Sequence, residues 1–552
     1  MENSSFFNHK TLFVWCLLAV TYSATKAGQL SVSTGTSAQV ENPYANQTAT
    51  VRVGTDLCSE ETAFLAQRLP HVKAALEQAL NITLQDSQIP SIAICASGGG
   101  YRAMLSTLGS LKDPQASKGI FMDLVQYLFN LFHISDSGQM STLEPINFDL
   151  GLLDICTYSA GISGSTWASA GFLYSGMPIA QYLDHLTTTI NENLIENFNF
   201  DQVMLSLLKK NSYGQPLSLI DFYGALLAQK LLVNADYENP CDMLFSSEQE
   251  LVTLGHVPLP ICSAILGQET TDYTWIEFTP YEVGSIDLNA YIPSWAFGRK
   301  FDKGVSQDFA PPQSLGYCMG IWGSAMSVSV QELFDMEITS TNSILGQAVA
   351  QISLDVQTVQ SILQDIKIRI AQDIKTKDLL DYRISPARVF NWTLNMPQGP
   401  LTSAEQLTLV DAGINIGVPL PPLLDGRRKI DIIIVLDAST GSLGTALQEA
   451  EQYAQAHSLK FPTIDYTQVG NVCSVHRGSD LTTPIIIYLP LRSNPGYQNG
   501  WDPLTANFTS IFNFEYTPDE IGLLSGLTNY NMVASKTLIL QTIKEFIQER
   551  QG

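Results

Sequence analysis

Tyr158-Ser159-Ala160-Gly161-Ile162-Ser163-Gly164-Ser165-Thr166-Trp167 is the stretch on which the reading of this chain turns. Its centre, Gly161-Ile162-Ser163-Gly164-Ser165, has the G-x-S-x-small form of a nucleophile elbow. A serine on a sharp strand-to-helix turn has a strained backbone, and small neighbours let other segments approach while the hydroxyl projects into open space. The apolar run Leu153–Tyr158 before it suits a buried strand, and Trp167–Tyr174 after it suits a helix. Taken alone the pattern is weak, because a glycine-bearing turn explains it equally well.

A second stretch shifts the balance. Ser91–Ala96 reads as a buried strand, Ser97-Gly98-Gly99-Gly100 as a turn, and Tyr101-Arg102-Ala103-Met104-Leu105 as the start of a helix. Three successive glycines allow backbone N–H groups to turn outward together, for a phosphate or for a developing oxyanion. The G-x-G-x-x-G spacing of dinucleotide sites is absent. Arg102 adds a fixed cation beside this loop. Further on, Leu407-Thr408-Leu409-Val410-Asp411-Ala412-Gly413 reads as strand, acid and turn, which makes Asp411 the best-placed general base. Arg427-Arg428-Lys429 is the strongest basic cluster, and it runs into the buried strand Ile430–Asp437. Another strand, Pro484–Leu489, precedes helical segments at the C-terminus. None of the seven histidines sits in a motif of its own, so a Ser-His-Asp triad is unmarked, though not excluded.

The 552 residues, 45% of them apolar, suffice for a large globular core. A formal net charge of −24 argues against nucleic acid and against adsorption driven by anionic lipid. Strands and helices alternate, which predicts an α/β fold with a central, mostly parallel sheet flanked by helices. Residues 1–27 read as a secretory signal, with an apolar run at Thr11–Val20 too short to span a bilayer and small residues behind it. Residues 28–55 read as an extended leader and 56–552 as the catalytic domain, with insertions at about 106–150 and 176–315. The expected location is therefore secreted or lumenal, and the sequons at Asn46, Asn81, Asn391 and Asn507 are candidate glycosylation sites.

Residues 60–80 show helical periodicity interrupted by Pro70. An amphipathic helix is expected within 106–150. Ile352, Val356, Val359, Leu363, Ile366 and Ile370 mark a helix over 344–376. Gly316–Met326, rich in small and apolar residues, suits a close-packed buried segment. Seven cysteines remain after the signal, an odd number, and Cys241–Cys262 is the expected disulfide. No metal-ligand spacing is present, so neither metal nor cofactor is expected.

In these motifs the chain resembles the cytosolic phospholipase A2 catalytic domain and its secreted relatives, the fungal phospholipase B/lysophospholipases. The matching runs are Ser97–Met104, Gly151–Asp154 leading into Gly161–Trp167, Pro216–Asp221, Trp275–Glu282, Met319–Ala325, Pro386–Asn391 and Val410–Gly413. The resemblance implies a patatin-like fold with cap or lid insertions and a Ser-Asp dyad without histidine. Ser163 would attack the acyl ester and Asp411 would accept its proton. The amides of Gly98, Gly99 and Gly100 would stabilise the oxyanion, Arg102 would hold the substrate phosphate, and Arg428 would also serve the head group.

The implied partner is a phospholipid or lysophospholipid at a transiently bound membrane or micelle surface, with no protein partner evident. The segment before the glycine loop is too short for a calcium-binding C2 module, so calcium-independent action is expected. The alternatives are a lipid-binding protein that has lost turnover and a serine hydrolase of neutral esters.

Overall fold

The computed structural model describes residues 42–112, 151–194, 196–247, 252–267, 273–327, 386–439 and 441–550. Its frame is one twelve-stranded sheet whose path runs β1 (Arg52–Val53), β7 (Ala290–Pro293), β6 (Glu282–Ser285), β5 (Trp275–Phe278), β4 (Leu259–Leu266), β3 (Tyr158–Gly161), β2 (Ile92–Ala96), β12 (Ile432–Asp437), β14 (Ile485–Pro490), β13 (Ser474–His476). The five central strands β4, β3, β2, β12 and β14 are parallel, and antiparallel strands extend the sheet on either side. Off this path, β10 (Ala387–Phe390) pairs with β11 (Gln406–Asp411), and β11 pairs antiparallel with the far half of β4. A separate two-stranded ribbon joins β8 (Phe301–Asp302) to β9 (Val305–Ser306).

The centre is parallel because its strands are apolar on both faces. In β12, Ile432, Ile434 and Leu436 enter one core cluster, and Ile433 and Val435 enter the other. In β2, Ile92 and Ile94 alternate in the same way with Ala93 and Cys95. Side chains of period two facing opposite ways require a cover on each side. One face is covered by α2 (Gly100–Leu111), α3 (Gly164–Ser175), α4 (Leu219–Leu231), α5 (Leu315–Trp322) and the 32-residue α7 (Pro518–Glu549); α6 (Thr445–Ala456) packs on the other.

Several expectations need correction. Pro70 does not interrupt the first helix: α1 is continuous from Ser59 to Leu80. The missing N–H costs about 3 kcal/mol in a helix interior, and the tertiary anchoring of α1 offsets it. Cys58 Sγ accepts the Glu61 N–H at the helix start. Phe64, Val72 and Leu76 are buried, and the buried Arg68 donates to the carbonyls of Cys156 and Gly255.

The expected leader is packed from Asn42 onward. Ala49 is buried, β1 pairs with β7, and Arg299 donates to the carbonyls of Tyr44 and Gln47. The segment 176–315 is no simple insertion, since it supplies β4 in the heart of the sheet together with β5, β6 and β7. Residues 106–111 belong to α2. The strand of the elbow is shorter than expected, because Leu152–Ile155 forms a helical turn and pairing starts at Tyr158.

Cys241 and Cys262 are both buried and are not joined in the expected disulfide. Cys241 lies in a short helical turn, its thiol against the Ala225 carbonyl of α4, and Cys262 lies inside β4. The signal segment 1–27, residues 28–41, the helix expected within 106–150 and the helix over 344–376 lie outside the described residues. Among the described residues, no helix is long and apolar enough to cross a membrane.

Candidate active site

The carboxyl ends of the parallel strands meet in one place. β2 leads into Gly98–Gly100, β3 into Ser163, and β12 into Asp437 and Ala438. The register of β4 brings in the acid: Gly161 of β3 faces Cys262, and Asp411 of β11 faces Ala264, two residues further along.

Ser163 has φ 49° and ψ −128°, a left-handed conformation that a non-glycine residue adopts only under tertiary compulsion. The compulsion is visible. Ser163 N–H donates to the Trp322 carbonyl at 3.1 Å, Ile162 N–H donates to Ser165 Oγ at 3.0 Å, and Ser165 Oγ–H donates to the Ala96 carbonyl at 2.8 Å. A Cβ on Gly164 would collide with the Gly100 carbonyl, so the small residue after the serine is where the glycine loop crosses the elbow. A Cβ on Gly98 would lie 3.1 Å from Ser163 Cβ.

Asp411 is wholly buried beside this serine. Gly413 N–H donates to its Oδ1 at 2.8 Å, Ala325 N–H also bonds the carboxylate, and its own N–H donates to Ser324 Oγ at 2.9 Å. Burial pushes its pKa up to about 7, against the lowering effect of Gly413 N–H, the Ser163 hydroxyl and Ala325 N–H. Ser163 Oγ is close enough to act on that carboxylate but makes no hydrogen bond of full geometry; in unliganded sites such bonds are commonly long. The five described histidines have neighbours of their own. His71 lies against His256, His185 on Tyr182 and His457 on Tyr453, while His476 is bonded to Ser474. Among the described residues, the geometry therefore gives a serine and a carboxylate with no imidazole between them.

The glycine loop divides its amides. Gly98 N–H is committed to the Gly417 carbonyl at 3.2 Å, which removes it from the expected set of oxyanion donors. Gly99, at φ 135°, is the N-cap of α2, and Gly100 is its first residue. Their N–H groups fall among those a helix start leaves without an intrahelical acceptor, and the positive end of α2 adds to them.

Arg102 is buried one turn into α2. Its Nε donates to the Ala438 carbonyl at 2.8 Å and its Nη1 to the Thr509 carbonyl at 2.9 Å. A side chain on Gly99 would run into its guanidinium, so the cation sits directly against the oxyanion loop. Burial lowers its pKa to about 10, with Tyr516 and Asp437 opposing the fall.

Arg428 is placed differently from the expectation. Its guanidinium is buried and held by Glu61 Oε1 (2.9 Å from Nε), Glu277 Oε2 (2.7 Å from Nη1) and the Pro422 carbonyl (3.2 Å from Nη1). Tyr158 O–H donates to Glu61, and Arg427 joins the cluster through Glu277 and Asp425. Glu277 pays desolvation, yet Arg428 and Arg427 hold its pKa below the usual carboxylate range. This network ties α1 to β3 and β5, and it leaves Arg428 no open donor face toward a head group.

Asn391 is also misplaced as a glycosylation site. Its side chain is buried, donating to the Leu401 and Ala404 carbonyls and accepting from Thr393. Asn46, Asn81 and Asn507 are exposed.

One functional segment escaped the sequence reading. Gly316–Met326 was expected only to pack. In fact Trp322 O accepts the Ser163 N–H, while Ser324 Oγ and Ala325 N–H hold Asp411. A single turn after α5 thus spaces Ser163 and Asp411. Two cavities of about 470 and 540 Å³ lie elsewhere, the first lined by Lys210, Asp221 and Tyr317, the second by Lys300, Phe390 and Glu405; neither is lined by Ser163 or Asp411. Among the described residues, no group of three or more His, Cys, Asp or Glu is placed to hold a metal ion.

A strained serine on a strand-to-helix turn, a buried carboxylate and a helix-start amide pair define an α/β serine hydrolase site. The lysophospholipase catalytic domain model matches residues 134–499, and the chain belongs to that family. Mouse cytosolic phospholipase A2 delta is 26% identical over 579 residues, covering 93% of this chain and 65% of that protein. Human cytosolic phospholipase A2 beta is 27% identical over 561 residues, covering 91% and 67%. Human cytosolic phospholipase A2 zeta is 28% identical over 554 residues, covering 88% and 60%. The chain thus spans somewhat under two thirds of two of these three relatives. Human GIVD cytosolic phospholipase A2 superposes with a TM-score of 0.69 at 23% identity, over 90% of this chain and 68% of that one. The same protein in complex with methyl gamma-linolenyl fluorophosphonate superposes with a TM-score of 0.63 at 24% identity, over 91% and 66%. At these identities the likeness bears on the fold.

Proposed function

We propose that the chain hydrolyses fatty-acyl esters of lysophospholipids and diacyl phospholipids through an acyl-enzyme on Ser163. The observation that carries this is the pairing of a strained Ser163 with a wholly buried Asp411 whose carboxyl titrates at about 7. Near neutral pH such a carboxylate is basic enough to accept the serine proton and acidic enough to return it.

In the reading, Asp411 takes the Ser163 proton as Oγ attacks the ester carbonyl. The amides of Gly99 and Gly100 hold the oxyanion, and the departing alcohol leaves with the proton from Asp411. Water then attacks the acyl-serine with Asp411 again as base, the acyl–oxygen bond to Ser163 breaks to release the fatty acid, and Asp411 returns the proton to Ser163 Oγ. Arg102, against the loop and fixed by two carbonyls, binds the substrate phosphate.

Calcium independence and a secreted or lumenal location belong to the proposal. The first is supported by base, nucleophile and oxyanion donors that are all protein groups. The second is supported by the apolar run Thr11–Val20 and by exposed sequons at Asn46, Asn81 and Asn507; the named relatives are called cytosolic. The test is fatty-acid release from lysophosphatidylcholine and diacyl phosphatidylcholine, wild type beside Ser163→Ala, with and without chelator. Ser163-dependent release that survives chelation is expected. Failure of folded protein to release fatty acid or to react with a fluorophosphonate at Ser163 would leave a binding protein instead.

A further inference from the structure

Arg102 is aimed by a turn that the catalytic steps do not use. β12 ends at Asp437, and the peptide that follows is held at several points. The Asp437 carboxylate accepts Ser439 N–H at 2.9 Å and Tyr488 O–H at 2.7 Å. The Asp437 carbonyl accepts Leu491 N–H at 2.6 Å, and Ala438 N–H donates to Ser97 Oγ at 2.7 Å. An aspartate bonding its own backbone two residues on is a self-closing turn. This one presents the Ala438 carbonyl, which accepts Arg102 Nε at 2.8 Å. Ser97 is the residue before the glycine loop and Arg102 lies just past it, so the turn grips that loop at both ends.

We propose that Asp437 is a positioning residue for Arg102, which sets the guanidinium against Gly99 by shaping the Asp437–Ser439 turn. Asp437 is only 4% exposed, and Tyr516 and Asp437 both favour the charged form of Arg102. Tyr488, on β14 beside β12, fixes the carboxylate from the other side, and its oxygen in turn accepts Gly444 N–H at 3.2 Å. Arginine recognises a phosphate through a planar fork, so a small tilt of the guanidinium costs phosphate binding while the Ser163–Asp411 dyad stays intact. The inference rests on the head-group reading of Arg102.

The experiment measures kcat/KM on lysophosphatidylcholine and on a small neutral ester, p-nitrophenyl butyrate. Asp437→Ala is expected to lower the first by about tenfold or more and to leave the second within about twofold; in an Arg102→Ala background it should change neither further, as residues acting through one another are not additive. Asp437→Asn, which keeps an acceptor for Ser439, should recover part of the loss. Should Asp437→Ala not fold, Tyr488→Phe carries the test with the same selectivity. Equal losses on both substrates, or a loss that adds in full to that of Arg102→Ala, overturn the proposal while the head-group reading stands. A wild type that turns over the neutral ester and no lysophospholipid refutes the head-group reading itself, and this inference with it.

Discussion

Replacing Asp411 by asparagine should remove most of the activity and, above neutral pH, make the protein more stable. The carboxyl titrates at about 7 in the fold against 3.8 for an ordinary aspartate, and desolvation is the main cause. A raised folded pKa means that the folded state holds a proton the unfolded state has lost. Stability from this group is therefore full below pH ~4 and declines as pH rises through about 7. From pH 5 to the folded pKa is about two units, and at 1.36 kcal/mol per unit the wild type loses about 3 kcal/mol that the uncharged variant does not.

For a chain of this length, with an unfolding entropy near 2 cal/mol/K per residue, that is a Tm difference growing by about 2–3 °C between pH 5 and pH 8. The assay is a set of paired thermal melts at pH 5, 6, 7 and 8, beside kcat/KM at each pH. Wild-type kcat/KM should rise with pH through about 7, as the carboxylate forms, and the variant should lose about 10²–10⁴-fold, the range for a missing general base. A Tm difference that stays flat from pH 5 to pH 8 would show that the carboxyl does not titrate in this window, and the assignment of the base would fall with it.

Other consequences of the site can be checked separately. Arg102→Ala should reduce phospholipid hydrolysis at least tenfold more than hydrolysis of a small neutral ester, as expected for a charge-assisted phosphate contact; equal losses would remove its head-group role. Arg428→Met leaves Glu61 and Glu277 buried without their cation, so the urea midpoint should fall by the equivalent of about 3–5 kcal/mol. An unchanged midpoint with a selective loss of phospholipid activity would return Arg428 to the substrate. In protein expressed through a secretory pathway, glycosidase treatment should reveal glycan at one or more of Asn46, Asn81 and Asn507 and none at Asn391. Glycan on Asn391 would contradict its buried hydrogen bonds to Leu401 and Ala404.

The elbow was legible because its requirements are local. Gly161 and Gly164 make room within one turn, and flanking apolar runs mark the strand and the helix. Asp411 was legible as a strand-end acid before a glycine. The role of each glycine amide was not, since Gly98 N–H meets Gly417, a residue more than three hundred positions away that no local pattern names. Arg428 was given a head-group role by the family resemblance, which does not reveal its packing. Its partner Glu61 reads as a surface residue of an amphipathic helix, and only the packing of α1 across β3 turns it inward. Pro70 misled in the same way, because anchoring by Arg68 is invisible to a helix period. The 176–315 segment looked like an insertion because prolines and glycines break it into mixed, irregular pieces, yet its eight-residue β4 completes the parallel core.

Ser163 and Asp411 are gauged by one strand. β4 faces Gly161 at Cys262 and Asp411 at Ala264, so the gap between the two residues is a fixed step along a ruler of backbone hydrogen bonds. Between β5 and β11 the chain also supplies β6, β7 and the Trp322–Ala325 turn that holds Ser163 and Asp411, and these are bound to the ruler. The Lys303–Gly304 turn of the β8–β9 ribbon, with Lys303 exposed, lies outside the twelve-stranded sheet, and grafting experiments should tolerate changes there. A slip of one residue in β4 has no such licence: with a period of two it would turn every side chain of the strand to the opposite face and separate the two halves of the site at once.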